Sequence, residues 1–129
     1  PYAKGTKMAS TTFSGPVTST NGFIGTISGA FKGDVQTVTT STAANLTTLS
    51  TVMAPPGAGA LAITLADGYA GQLKILTVSS TGGGAAVVTP ATFANGTTLT
   101  FNAAADTCML LFVETVGWTL VSDRSVAVA

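Results

Sequence analysis

The chain has no histidine, one cysteine and few charges: five Lys and Arg against five Asp and Glu, 8% of its 129 residues, with a formal net charge of zero. Each shortage excludes something. Without histidine, and with Cys108 alone, the usual ligands of zinc are missing and no intrachain disulfide can form. A nucleophile would have to be activated by a carboxylate or a lysine, and Asp34, Asp67, Asp106, Glu114 and Asp123 are scattered along the sequence. No enzyme and no cofactor are therefore expected. The cations Lys4, Lys7, Lys32, Lys74 and Arg124 are equally dispersed. Phosphate backbones require clustered positive charge, so no nucleic-acid partner is expected. No run approaches the roughly 18 apolar residues that span a bilayer, and the first residues lack the apolar core of a signal peptide. A soluble, unsecreted chain without a membrane partner is expected. Pro1 is the residue that removal of an initiator Met would leave, which predicts a natural start there.

What is present is apolar. Hydrophobic residues make up 46% of the chain, and Ser and Thr supply most of the polarity. An ordinary soluble domain devotes about a quarter of its residues to charge, and net charge helps keep small domains apart in solution. A surface this uncharged predicts that a partner covers much of it. The length suits one domain.

Local patterns divide the chain into an N-terminal arm, residues 1–31, and a single β domain, residues 32–129. In the arm, Gly15-Pro16, Asn21-Gly22 and Gly25 interrupt the sequence too often for a long strand, which predicts an extended segment. Its large apolar residues, among them Tyr2, Phe13, Phe23 and Ile24, need a surface to dock on. Residues 34–42 are β-branched and predict the first strand of the domain. Residues 43–54 admit one short helical turn or a loop, because Leu46, Leu49 and Met53 recur at helical spacing among many Thr residues.

Residues 59–122 read as consecutive antiparallel strands of about five residues between tight turns. Leu61, Ile63 and Leu65 share one face before an Asp67-Gly68 hairpin turn. Residues 72–78 form the next strand, Gly82 to Gly84 a hairpin bend, and residues 85–89 a short strand closed by Pro90. Leu99 and Phe101 point inward, with Thr98 and Thr100 outward. Residues 109–113 are apolar on both faces, the mark of a central strand covered on two sides, with residues 118–121 as its partner. The expected class is all-β: an antiparallel β-sandwich or small jelly-roll-like barrel with an extended N-terminal arm.

Few residues offer chemistry. Asp67 and Asp106 sit where an Asp side chain can cap a turn, although a carboxylate pair converging in space stays open at this level. The triple glycine lacks the lysine and helix of a phosphate cradle. Trp118 is in step with Leu120 on the core face, where packing competes with stacking on a sugar ring. Cys108 precedes Met109, Leu110 and Leu111 and reads as a buried thiol.

The motifs Gly71-Gln72-Leu73-Lys74, Val87-Val88-Thr89-Pro90, Asn95-Gly96-Thr97-Thr98-Leu99, Asp106, Leu110-Leu111 and Gly117-Trp118-Thr119-Leu120-Val121, in this order and spacing, resemble a module of tailed-bacteriophage virion proteins. The likeness covers roughly the second half of the chain and is to capsid decoration, or cement, proteins, a module also found on head fibres. Phe13-Ser14-Gly15-Pro16-Val17 and Asn21-Gly22-Phe23 are similar to the N-terminal ends of small phage structural proteins. The resemblance implies a virion protein on the outer surface of the capsid, commonly a homotrimer, that binds the major capsid protein of an expanded head and stabilises it. On that reading Tyr2, Phe13, Phe23 and Ile24 are buried anchors, and Lys4 and Lys7 pair with an acidic capsid rim. The alternative is a glycan- or receptor-binding module of a head fibre or tail.

Overall fold

A computed structural model describes residues 31–129 continuously and, before them, Thr12, residues 14–16, Thr18, Thr20, Thr26 and residues 28–30. The described positions among residues 1–30 carry no strand. The site candidates Tyr2, Lys4, Lys7, Phe13, Phe23 and Ile24, and most of the predicted arm, lie outside the described residues.

Phe31–Ala129 forms its own unit, built without helices from ten strands. In chain order they are β1 (Val35–Val38), β2 (Thr42–Ala43), β3 (Ser50–Met53), β4 (Leu61–Leu65), β5 (Leu73–Val78), β6 (Ala86–Pro90), β7 (Leu99–Phe101), β8 (Thr107–Val113), β9 (Gly117–Arg124) and β10 (Ala127–Val128). They make two five-stranded sheets, ordered β1-β3-β5-β8-β9 and β10-β7-β6-β4-β2. The fold is therefore an all-β sandwich, as the alternation of apolar and polar residues predicts. Leu61, Ile63 and Leu65 of β4 and Leu99 and Phe101 of β7 are all buried. Val38, Met53, Leu76, Val78 and Leu110 meet them from the opposite sheet.

The strand directions correct the antiparallel expectation. Among the described residues four pairings are parallel, β1 with β3, β3 with β5, β2 with β4 and β4 with β6. Four are antiparallel, β5 with β8, β8 with β9, β6 with β7 and β7 with β10. The reason is that β1 to β6 alternate strictly between the sheets. Each pair of successive strands makes one flattened coil, and the next coil stacks on it in the same direction. Val35, Ser50 and Ile75 consequently lie side by side, as do Thr42, Ile63 and Val88. After β6 the direction reverses: β7 and β8 add antiparallel to β6 and β5, and β10 and β9 extend the two sheets beyond them.

Several local expectations change with this topology. Residues 34–42 are not one strand: the chain bends after Val38 and crosses to the other sheet for β2. Residues 43–54 hold a turn and then β3, which the helical spacing concealed. Asp67-Gly68 and Gly82 to Gly84 are not hairpin turns but corners at which the chain changes sheet. The hairpin of β8 and β9, with Phe112 opposite Trp118, is as expected.

The corners stack as closely as the strands. Gly82 N–H donates to Pro55 O at 2.8 Å, and Leu61 N–H donates to Ala85 O at 2.8 Å. A Cβ on Gly84 would meet the carbonyl oxygens of Gly59 and, at 2.5 Å, Gly57. One on Gly57 would meet nothing within 4 Å. Backbone cannot yield as a flexible side chain can. Gly84→Ala is thus expected to lower stability by about 2 kcal/mol or more, and Gly57→Ala to change it by less than about 0.5 kcal/mol. Urea denaturation of the two variants checks the difference; equal midpoints would mean that the corners do not bear on one another in solution.

Candidate functional site

The two outer faces of the sandwich both carry Thr residues and differ in their large apolar ones. On the β10-β7-β6-β4-β2 sheet the outward positions include the row Ala62, Val87 and Thr100 and, beside it, Thr64 and Thr89. On the other sheet, β5 turns Leu73 and Ile75 outward opposite Leu111 and Met109 of β8. Val113 continues the patch on β8, while Ser50 stands between Val35 and Ile75, and Val52 lies between Thr37 and Thr77. Leu73 is 43% exposed and Val35 58% exposed. The outward row of β8 is only half-buried, so the expectation that this strand is covered on both sides is met on the inner side alone among the described residues. A bulge between Met109 and Leu110 opens a shallow depression of about 280 Å³ over Ile75 and Met109, with Asp123 and Arg124 at its margin.

Directly behind this face is a buried lysine. Because β5 directs Leu73 and Ile75 outward, Lys74 points inward with Leu76 and Val78 and is 0% exposed. Its Nζ donates to Asn45 O at 2.7 Å, Thr48 O at 2.8 Å and Thr48 Oγ1 at 3.0 Å. Three oxygens satisfy the three donors of an ammonium. Two amide side chains secure the same connection between β2 and β3. Gln36 Oε1 accepts from Asn45 N–H at 2.7 Å and from Thr51 Oγ1 at 3.1 Å, and Gln72 Nε2 donates to Leu46 O at 2.6 Å. Burial lowers the Lys74 pKa to about 8.

The two carboxylates singled out in the sequence are hydrogen-bonded within the fold. Asp106 Oδ2 accepts from the N–H groups of Asn102 at 2.8 Å and Ala103 at 2.9 Å, the turn cap expected of it. Asp67 Oδ2 accepts from Thr92 Oγ1 at 3.1 Å. Asp67 follows the end of β4 and Asp106 precedes the start of β8, which the strand register puts at opposite ends of the sandwich, so these two carboxylates do not converge. Among the described residues no three His, Cys, Asp or Glu gather as a metal site.

Trp118 is wholly buried. Its Nε1 donates to Ala66 O at 2.8 Å and its ring meets Phe112 edge-on at 5.2 Å, so the core reading holds and the indole offers no platform to a sugar. The thiol of Cys108 is buried, and burial, reinforced by the charge of Asp123, pushes its pKa up to about 12. It is a packing group rather than a nucleophile. Phe31 and Tyr69 are exposed, at 82% and 75%.

The apolar patch of Leu73, Ile75, Met109 and Leu111 carries no reagent, and its one signal in the sequence is the two-sided apolarity of β8. No protein-family model matches the chain, and no curated protein matches its sequence.

The two shifted groups predict opposite pH effects. Unfolded Lys74 keeps its proton up to the ordinary value of 10.5, whereas the folded residue releases it near 8. Between these values unfolding takes up a proton, so stability rises with pH, by at most about 1.4 kcal/mol per unit. For Cys108 the unfolded thiol ionises near 9 and the folded one near 12, so stability falls over that window. Urea midpoints followed by Trp118 fluorescence should rise from pH 8 to 9, flatten to about pH 10.5, then fall. Lys74→Met removes the rise and Cys108→Ala the fall. An unchanged slope in Lys74→Met would show that the three hydrogen bonds to the ammonium offset its burial.

Proposed function

We propose that this chain is a structural virion protein, a capsid decoration or cement protein that binds the outer face of an expanded phage head and stabilises it. The observation that carries the reading is the pairing of a sandwich poor in reagents with an uncharged apolar patch on one sheet, Leu73, Ile75, Met109 and Leu111. Cementing requires contact area and shape rather than nucleophiles, and a few well-packed apolar anchors dominate such contacts. The order and spacing of the motifs from Gly71 to Val121, with their likeness to phage virion proteins, supports the same reading. On it the partners are the major capsid protein and other copies of the chain, commonly as a homotrimer. Tyr2, Phe13, Phe23 and Ile24 anchor the arm, and Lys4 and Lys7 meet an acidic rim.

One observation favours glycan or receptor binding on a fibre or tail instead. Tyr69 is exposed on the same connection between β4 and β5 as Asp67, and Asp67 is bonded to Thr92. A sugar could stack on the phenol ring and hydrogen-bond the carboxylate. A single ring is a thin platform, and the other aromatic residues on the sandwich core side, Trp118, Phe101 and Phe112, are buried.

Purified protein mixed with expanded heads stripped of accessory proteins should saturate them in fixed proportion and raise their resistance to heat or osmotic shock. Deleting residues 1–24 should weaken head binding at least about tenfold, the loss of one or more anchor side chains. Full retention of binding would remove the arm from the contact. Protein that ignores heads but is held on host-cell glycans, and is released by Tyr69→Ala, would replace cementing with the receptor reading.

A further inference from the structure

We infer that Asn95-Gly96, in the connection between β6 and β7, is a site of spontaneous deamidation in the folded protein, and that its isoaspartyl product loosens the cover over the start of β9. The inference does not depend on what the protein binds.

An asparagine loses its amide when the backbone nitrogen of the next residue attacks its side-chain carbon. Three asparagines of the domain, Asn45, Asn95 and Asn102, stand in different settings. At Asn102 the attacking nitrogen is engaged, because Ala103 N–H donates to Asp106 Oδ2 at 2.9 Å. At Asn45 the side-chain oxygen is held by the residue beyond, accepting from Thr47 N–H at 2.9 Å and Thr47 Oγ1 at 2.8 Å. The neighbour of Asn45 is Leu46, branched and packed against the core. Asn95 meets neither obstacle. Gly96 has no side chain to crowd the approach, and both residues are exposed to water. Gly96 N–H donates to nothing among the described residues.

The carbonyl of Asn95 is also activated. Its Oδ1 accepts from Leu120 N–H at 2.9 Å. Negative charge gathers on this oxygen as the nitrogen adds to Cγ, so a fixed N–H aimed at it stabilises the tetrahedral intermediate more than the starting amide.

The reaction needs only water. Hydroxide takes the Gly96 amide proton, the nitrogen bonds to Asn95 Cγ, and the Cγ–Nδ2 bond breaks as Nδ2 gains a proton and leaves as ammonia. Water then opens the cyclic succinimide. Addition at Cγ breaks its bond to the Gly96 nitrogen and gives aspartate at position 95. Addition at the main-chain carbonyl breaks that bond instead and leaves Gly96 joined through Cγ, an isoaspartate. Either way one water is consumed, one ammonia is released and no electron is transferred. A chain of zero formal net charge gains one carboxylate.

The two products differ mechanically. Aspartate keeps a side-chain oxygen for Leu120 N–H. Isoaspartate moves the carboxylate to Cα and inserts a methylene into the main chain between Ala94 and Gly96, whose surroundings cannot yield. A Cβ on Gly96 would meet Ala129 O at 2.5 Å and Val128 Cγ1 at 3.0 Å. On the other side, Ala94 N–H donates to Trp118 O at 2.9 Å and Trp118 N–H donates to Thr92 O at 3.0 Å. The lengthened turn must give up one of these contacts.

Peptide mapping by mass spectrometry tests the inference on the full chain. Asn21-Gly22, outside the described residues, is first removed as Asn21→Gln. The protein is held at mildly alkaline pH, folded and in urea, until the urea sample has converted at Asn95. In the folded sample Asn95 should convert at least about tenfold faster than Asn45 or Asn102, no slower than in urea, and faster as pH rises. The isoaspartyl fraction, separated by ion exchange, should unfold at lower urea than the starting protein, while Asn95→Asp keeps the original midpoint. Asn95→Gln, whose longer side chain closes a larger and slower ring, should stop the conversion. An Asn95 left intact in the folded sample would overturn the inference, since the turn would then protect the amide. Conversion undiminished in Asn95→Gln, or an isoaspartyl form as stable as its parent, would overturn it equally.

Discussion

The buried ammonium of Lys74 is the constraint on which the coil geometry turns. Desolvating such a charge costs several kcal/mol unless its protons are taken up. Here they are taken up by Asn45 O, Thr48 O and Thr48 Oγ1, all on the connection between β2 and β3. That connection is thereby tied to β5, which lies on the far side of β3 from β1. Gln36 on β1 and Gln72 just before β5 fasten the same few residues from either side. Three polar side chains, one on β1 and two at the start of β5, thus converge on one short loop, and β3 is placed between its two parallel neighbours.

Lys74 also decides which way β5 faces. With Lys74 turned inward, the alternation of the strand sends Leu73 and Ile75 outward. A lysine in a strand ordinarily points to water and its apolar neighbours to the core; here the need to satisfy the loop carbonyls reverses the arrangement. The same residue that secures the interior therefore creates the apolar exterior, and β8 matches it with Met109 and Leu111. Architecture and surface chemistry are coupled through one side chain.

Legibility in the sequence followed locality. The inward faces of Leu61, Ile63 and Leu65, of Leu99 and Phe101, and of Trp118 could be read because alternation is a property of neighbours in the chain. Strand direction could not, since Asp67-Gly68 and Gly82 to Gly84 serve a hairpin and a change of sheet equally well. β3 was hidden because one of its inward positions is Thr51, a buried hydroxyl satisfied by Gln36, where an aliphatic residue would have shown the pattern. The apolar face was legible only in part: β8 displayed it, but what covers its outer side depends on something beyond the strand itself. The six anchor residues of the arm lie outside the described residues.

The winding has a kinetic side. Every pairing among β1 to β6 skips over a strand of the opposite sheet, so none of them can form from adjacent segments. The β8–β9 hairpin, closed by residues 114–116, is the most local pairing in the domain. A chain whose contacts are mostly distant in sequence must close many loops before packing repays the entropy, and such topologies fold slowly for their size. During that interval β8 and β5 expose both of their apolar faces, so newly made chains are most prone to indiscriminate pairing before the coils have stacked.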